Sequence, residues 1–154
     1  MRSLALLAIA LLATACASFP PSTSNFRSEA VGTLEFQVDH PLAETYDIVA
    51  RNTIRCHERD SGYLAPAGAS FFVNVSSTTR VNGAISSEEG HATINVHFKN
   101  NVANGFMQVI DLETSSGGGT AITVYRLNDT HKWQTATESV RTWFDGDSSC
   151  YEMW

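Results

Sequence analysis

"HATINVHFK", residues 91–99, alternates without a break. Ala92, Ile94, Val96 and Phe98 fall on one side; His91, Thr93, Asn95, His97 and Lys99 fall on the other. A strict period of two marks a strand with one buried face, so this row predicts a sheet whose apolar side needs a cover. The chain around it supplies partners. "GFMQVIDLE" and "TAITVYRLN" read as two further strands on either side of "TSSGGG", whose glycines permit the positive φ angles of a tight hairpin. Upstream, "SFFVNVSS" aligns Phe71, Val73 and Val75. "TRVNGAISS" either pairs with it through an Asn82-Gly83 turn or continues it with a bend. "HERDSGYLAPAGA", residues 57–69, reads as a loop rich in Gly, Pro and Ser.

The cover comes from two helical stretches. "TLEFQVDH" is a strand with Leu34, Phe36 and Val38 inward, and the period then changes in "HPLAETYDIVARNTIRC". Pro41 suits a first helical turn, where its missing N–H has no partner to lose. Leu42, Tyr46, Val49, Thr53 and Cys56 then share a face. In "DTHKWQTATESVRTWFDGD", Trp133, Thr137, Val140 and Phe144 line a second stripe, with Ala136 and Trp143 beside it. Asp129 or Thr130 is placed to cap its start, and Gly146 to end it in the left-handed conformation. The expected fold class is α+β: an antiparallel sheet packed on one face by two helices, in the order strand, helix, strands, helix. The second helix is expected over the apolar side of 91–99, with any ligand pocket beside the short side chains of Ala92 and Ala136.

The chain starts "MRSLALLAIALLATAC": one charge at Arg2, an apolar run from Leu4 to Leu12, and a small-residue exit. The run is shorter than the roughly 20 residues of a membrane span and has the pattern of a secretory signal. "ATAC" resembles the lipobox of bacterial lipoproteins through Thr14, Ala15 and Cys16. It departs at Ala13, where Leu is usual. The resemblance implies a signal over residues 1–15, acylation of Cys16 as the mature N-terminus, and a membrane partner reached through that lipid. Ala17 and Ser18, with no Asp after the Cys, imply outer-membrane sorting and a periplasm-facing domain. "ATA" is also an A-x-A cleavage site, and cutting after Ala17 would leave no lipid. Residues 16–32, with two prolines and several serines, read as a lipidated start and a flexible tether with ends about 20–25 Å apart. A single domain over 33–154 follows.

Setting Cys16 aside leaves Cys56 and Cys150, an even pair for an oxidising compartment. A bridge between them spans 94 residues, and on a chain-entropy model a loop near that size contributes about 4–5 kcal/mol. Both cysteines stand at or just beyond predicted helix ends. Cleavage before Cys16 removes Arg2 and leaves nine basic and sixteen acidic residues, a formal charge of −7 from the −6 of the whole chain. That balance disfavours nucleic acid and anionic lipid as partners.

"VDHPLAETYDIV" and "GTAITVYRL" resemble the first strand-to-helix passage and the late strand of helix-grip proteins, the lipid-transfer and cyclase-like group. The resemblance implies a curved sheet around a C-terminal helix and a ligand cup between them, small here because the chain is short for that group. Chemistry is harder to find. His91 and His97 share a strand face about 20 Å apart, too far to hold one ion. "HERD" at 57–60 lacks the second histidine of H-E-x-x-H, and all five histidines read as exposed polar groups. No G-x-S-x-G occurs, and the Glu88-Glu89 and Asp145/Asp147 pairs read as solvated turns. Metal, cofactor and catalytic residues are therefore expected to be none. The expected function is binding, of a protein partner in the envelope or of a small apolar ligand. A structural envelope role, or a hydrolase without a readable motif, are the alternatives. The tail "YEMW" at 151–154 either packs back or offers an apolar contact.

Overall fold

A computed structural model describes residues 19–66 and 72–150. Cys16 and the signal, Ser70, Phe71 and the tail at 151–154 lie outside the described residues. The elements are α1 (Thr23–Glu29), β1 (Gly32–Val38), α2 (Leu42–His57), β2 (Arg59–Pro66), β3 (Phe72–Ser86), β4 (His91–Asn100), β5 (Asn104–Thr114), β6 (Thr120–Arg126) and α3 (His131–Thr142). A 3-10 turn, Trp143–Asp145, follows α3. The class is α+β. Among the described residues, one six-stranded sheet holds every strand in the order β1-β6-β5-β4-β3-β2, and every pairing is antiparallel.

Register turns alternation into a core. Ala92 opposes Leu112, and Ile94 opposes Ile110. Leu112 in turn opposes Ile122, and Ile110 opposes Val124. Directly opposed residues share a face, so these side chains form one apolar layer. All are buried, together with Val49 of α2 and Val140 of α3. β1 adds Leu34 and Phe36 opposite Val124 and Ile122.

The helices divide this layer differently from the sequence expectation. α2 lies over β3, β4 and β5, and α3 lies over β6 and β1. It is therefore α2, and not the C-terminal helix, that covers "HATINVHFK". The reason is connectivity. β1 and β2 stand at opposite edges of the sheet, and α2 is the element between them. Its 16 residues span about 24 Å, which equals about five interstrand spacings. α2 must cross the middle, and α3, which follows β6 after a four-residue link, folds back over that strand and its neighbour.

One open alternative is settled and two local expectations change. The Asn82-Gly83 pair makes no turn: β3 runs unbroken for 15 residues, with Asn82 opposite Asn95 and Gly83 opposite Ile94. A side chain on Gly83 would meet the Tyr46 hydroxyl of α2, so the glycine serves close packing. The expected loop at 57–69 contains β2, an edge strand paired with β3 from Arg59 onward. Its polar, glycine-bearing sequence has no apolar alternation because β2 buries little. The expected tether contains α1, which packs on β5. Ser22 caps it by accepting from the Asn25 N–H at 3.1 Å, and Phe26 is 0% exposed. α1 sits on the face of the sheet opposite α2 and α3, because its partners on β4 and β5 are Thr93 and Asp111, which alternate with Ala92 and Leu112.

The pair at the helix ends comes together as expected. Cys56 and Cys150 form a disulfide with Cα atoms 5.2 Å apart. Gly146 ends the 3-10 turn in the left-handed region, φ 85°. Phe26→Ala should destabilise the protein by about 3–5 kcal/mol, the range for emptying a buried aromatic site. Urea unfolding measures it, and a loss below about 1 kcal/mol would show that α1 is not part of the folded unit.

Candidate functional site

β4 and β5 present a second row to the α1 side. His91 opposes Glu113, and Thr93 opposes Asp111. Arg27, one residue after buried Phe26, is carried by α1 onto this row. Its Nε donates to Asp111 Oδ2 at 2.6 Å and its Nη2 to Asp111 Oδ1 at 2.6 Å, a bidentate pair. Thr93 Oγ1 donates to Asp111 Oδ1 at 2.8 Å, and Arg27 Nη2 reaches Thr93 Oγ1 at 3.3 Å. Tyr125 of β6 joins the cluster: burial first, then the Asp111 charge and hydrogen bond, hold its phenol above the ordinary value of 10, while Arg27 acts in the opposite sense. The Asp111 hydrogen bond raises Arg27 further above its already high value.

Beside this cluster a cleft of about 220 Å³ opens, lined by Arg27, His91, Thr93, Asp111 and Glu113, with Ala92 and Leu112 beneath. Drug-sized ligands occupy pockets of about 300–1,000 Å³ with mainly apolar walls, so this cleft suits a small polar group and not an acyl chain. Of its two carboxylates, Asp111 is already committed, since both its oxygens accept from Arg27. His91 lies 3.4 Å from Glu89 at an exposed turn.

This cleft is not the one expected between Ala92 and Ala136, both of which are buried. The cleft reaches Ala92 from the opposite face, and Ala136 is buried under α3. Between helices and sheet, Val49, Ile94, Ile110, Ile122, Val124 and Val140 pack in one buried apolar cluster. The histidines are dispersed. His40 pairs with Glu44 at 3.0 Å, and His97 meets the Phe106 ring edge-on at 5.1 Å. Among the described residues no three His, Cys, Asp or Glu side chains converge as metal ligands.

His57 corrects the reading that all five histidines are exposed. It is 3% exposed, one turn beyond Thr53 on the packed stripe of α2, and its Nδ1 has no hydrogen-bond partner. Burial, reinforced by the nearby Arg59 charge, lowers its pKa from 6.5 to about 4. The sequence reading ran the packed face through Cys56 and stopped, yet the spacing from Val49 through Thr53 to His57 was available. Arg27 was also signalled, as the single cation between residues 3 and 50 in a stretch otherwise read as tether. No protein-family model matches the chain, and no curated protein is similar enough to count as a relative.

Two measurements test these groups. Asp111→Asn should move the Tyr125 ionisation midpoint down towards the ordinary value, read by ultraviolet titration against Tyr125→Phe, and cost about 1–3 kcal/mol of stability. An unmoved midpoint would separate Tyr125 from the cluster. For His57, the unfolded chain takes up its proton near pH 6.5, the folded chain only near pH 4. Between those values the unfolded state holds more protons, so stability is complete above pH 6.5 and is lost as pH falls to 4. The His57 share is about 3 kcal/mol. His57→Phe should flatten that part of the stability curve, and a parallel curve would refute the assignment.

Proposed function

We propose that this chain is a bacterial envelope lipoprotein: exported, acylated on Cys16, held at the outer membrane, and carrying a periplasm-facing domain that works by binding and not by chemistry. The Cys56–Cys150 disulfide carries this reading, because such bonds persist in oxidising compartments, to which the N-terminal signal also points. The order strand, helix, strands, helix, with α2 and α3 on one face, supports a helix-grip-like arrangement. The cluster of buried apolar side chains under those helices weighs against an apolar ligand cup and towards a partner met at the surface. The full engagement of Asp111 and the burial of His57 weigh against a hydrolase, since neither is presented as a free acid or base.

Mass analysis of the membrane-extracted chain should find acyl groups on Cys16. Cys16→Ala should accumulate as an unprocessed precursor or a soluble form. A parent without acyl chains, together with a Cys16→Ala chain that fractionates with membranes as the parent does, would overturn the address. Recovery of the gently extracted, crosslinked chain with no bound macromolecule or lipid would overturn the binding role.

A further inference from the structure

The two ends of the sheet differ in chemistry. β3 pairs with β4 only from Ser77 onward, opposite Asn100. Upstream of that point β3 pairs with β2 alone, from Ser76 opposite Gly62 to Phe72 opposite Pro66. This two-stranded arm projects about 16 Å beyond β4. Isolated two-stranded ribbons are marginal in water, and soluble ones keep one face polar. This arm exposes apolar groups on both faces: Tyr63 at 62% and Val73 at 48% on one, Leu64 at 67% on the other. The chain from Ser61 to Thr79 contains no Asp, Glu, Lys or Arg. At the same end, the turn between β4 and β5 exposes Val102 at 91%. The opposite end, at the β3–β4 turn, carries Glu88 and Glu89.

The N-terminal segment is fixed on β4 and β5 at this same end of the sheet. The Phe19 ring packs on Phe98 with centroids 5.5 Å apart, and the Phe106 N–H donates to the Pro20 carbonyl at 3.1 Å. A Cβ on Gly105 would fall 2.5–2.8 Å from Phe19 and Pro20 atoms, so only glycine admits this approach. Cys16 stands three residues before Phe19, a reach of at most about 10 Å.

We propose that this end of the sheet faces the bilayer and that the β2–β3 arm enters its interfacial layer through Tyr63, Leu64 and Val73, beside Val102. The proposal rests on the reading that Cys16 is acylated. A second copy or a flat protein surface would cover one face of the arm, whereas a lipid interface surrounds both. The unpaired backbone of the β2 edge keeps the arm out of the hydrocarbon centre and in the hydrated layer, where tyrosine is favoured.

The lipidated full chain is placed in vesicles of phosphatidylethanolamine and phosphatidylglycerol, with an environment-sensitive fluorophore attached through Leu64→Cys or, as reference, Glu88→Cys. The label at 64 should shift to the blue and be quenched by nitroxide lipid several-fold more than the label at 88. Equal, water-like emission from both on an anchored chain would overturn the proposal and leave acylation standing. A blue shift without vesicles that grows with protein concentration would overturn it in favour of a second copy. If mass analysis finds no acyl group, the anchor reading fails separately. The arm is then read on the unacylated chain by vesicle co-sedimentation, where Leu64→Asp with Val73→Asp should weaken binding about tenfold. Parent and variant sedimenting alike would overturn the arm's role.

Discussion

α2 has to cross the sheet. Its preceding strand lies at one edge and its following strand at the other, with a single residue, Glu58, between the helix and β2. Sixteen helical residues are long enough to satisfy both ends. The crossing selects which residues are buried: Leu42, Thr45, Val49, Thr53 and His57 in sequence along the contact. It explains Gly83, over which Tyr46 passes. It also leaves only the β6–β1 side free for α3, so the two helices lie side by side on one layer without competing for it.

That arrangement brings the end of α2 and the C-terminal segment together. Phe144 packs against Phe36 and His40, which puts the end of α3 near the start of α2. The chain then returns along α2. Arg55 donates to the Ser148 carbonyl, and Cys150 bonds Cys56 in the last turn. A segment of turn residues with few apolar groups is thus held by one covalent bond and one charged donor. The loop so closed encloses β2 to β6 and α3, so the bridge limits the unfolded chain across most of the domain.

Legibility in the sequence followed burial. β1, β4, β6 and both long helices have one covered face, and each shows it as a period of two or of 3.6, whereas β5 is buried on both faces from Met107 to Ile110. β2 buries little and has no period, so glycine, serine and proline spoke for a loop. α1 is seven residues long and rests on a single fully buried residue, Phe26; one residue makes no period. Asn82-Gly83 had hairpin chemistry, but the glycine answers to Tyr46 across the layer, a contact no local pattern encodes. The polar cluster was illegible for the same reason. Arg27, Thr93, Asp111 and Tyr125 come from four elements, and their proximity is a property of register. The order of the helices over the sheet needed the strand order, which alternation does not supply.

The contacts of residues 19–27 change what the N-terminus does. A free coil of this length would let a domain swing through tens of ångströms below its attachment point. Here the segment is held at three places: Phe19 and Pro20 against Gly105, Phe26 against the sheet, and Arg27 on Asp111. The three differ in kind. Gly105 admits the backbone, Phe26 supplies apolar burial, and the bidentate pair sets direction, since a planar guanidinium meets a carboxylate in one plane. Together they fix where the segment leaves the domain and at which end of the sheet. The segment therefore leaves the domain at the end of the sheet that carries the uncharged β2–β3 arm, while the acidic turn at Glu88 and Glu89 lies at the other end.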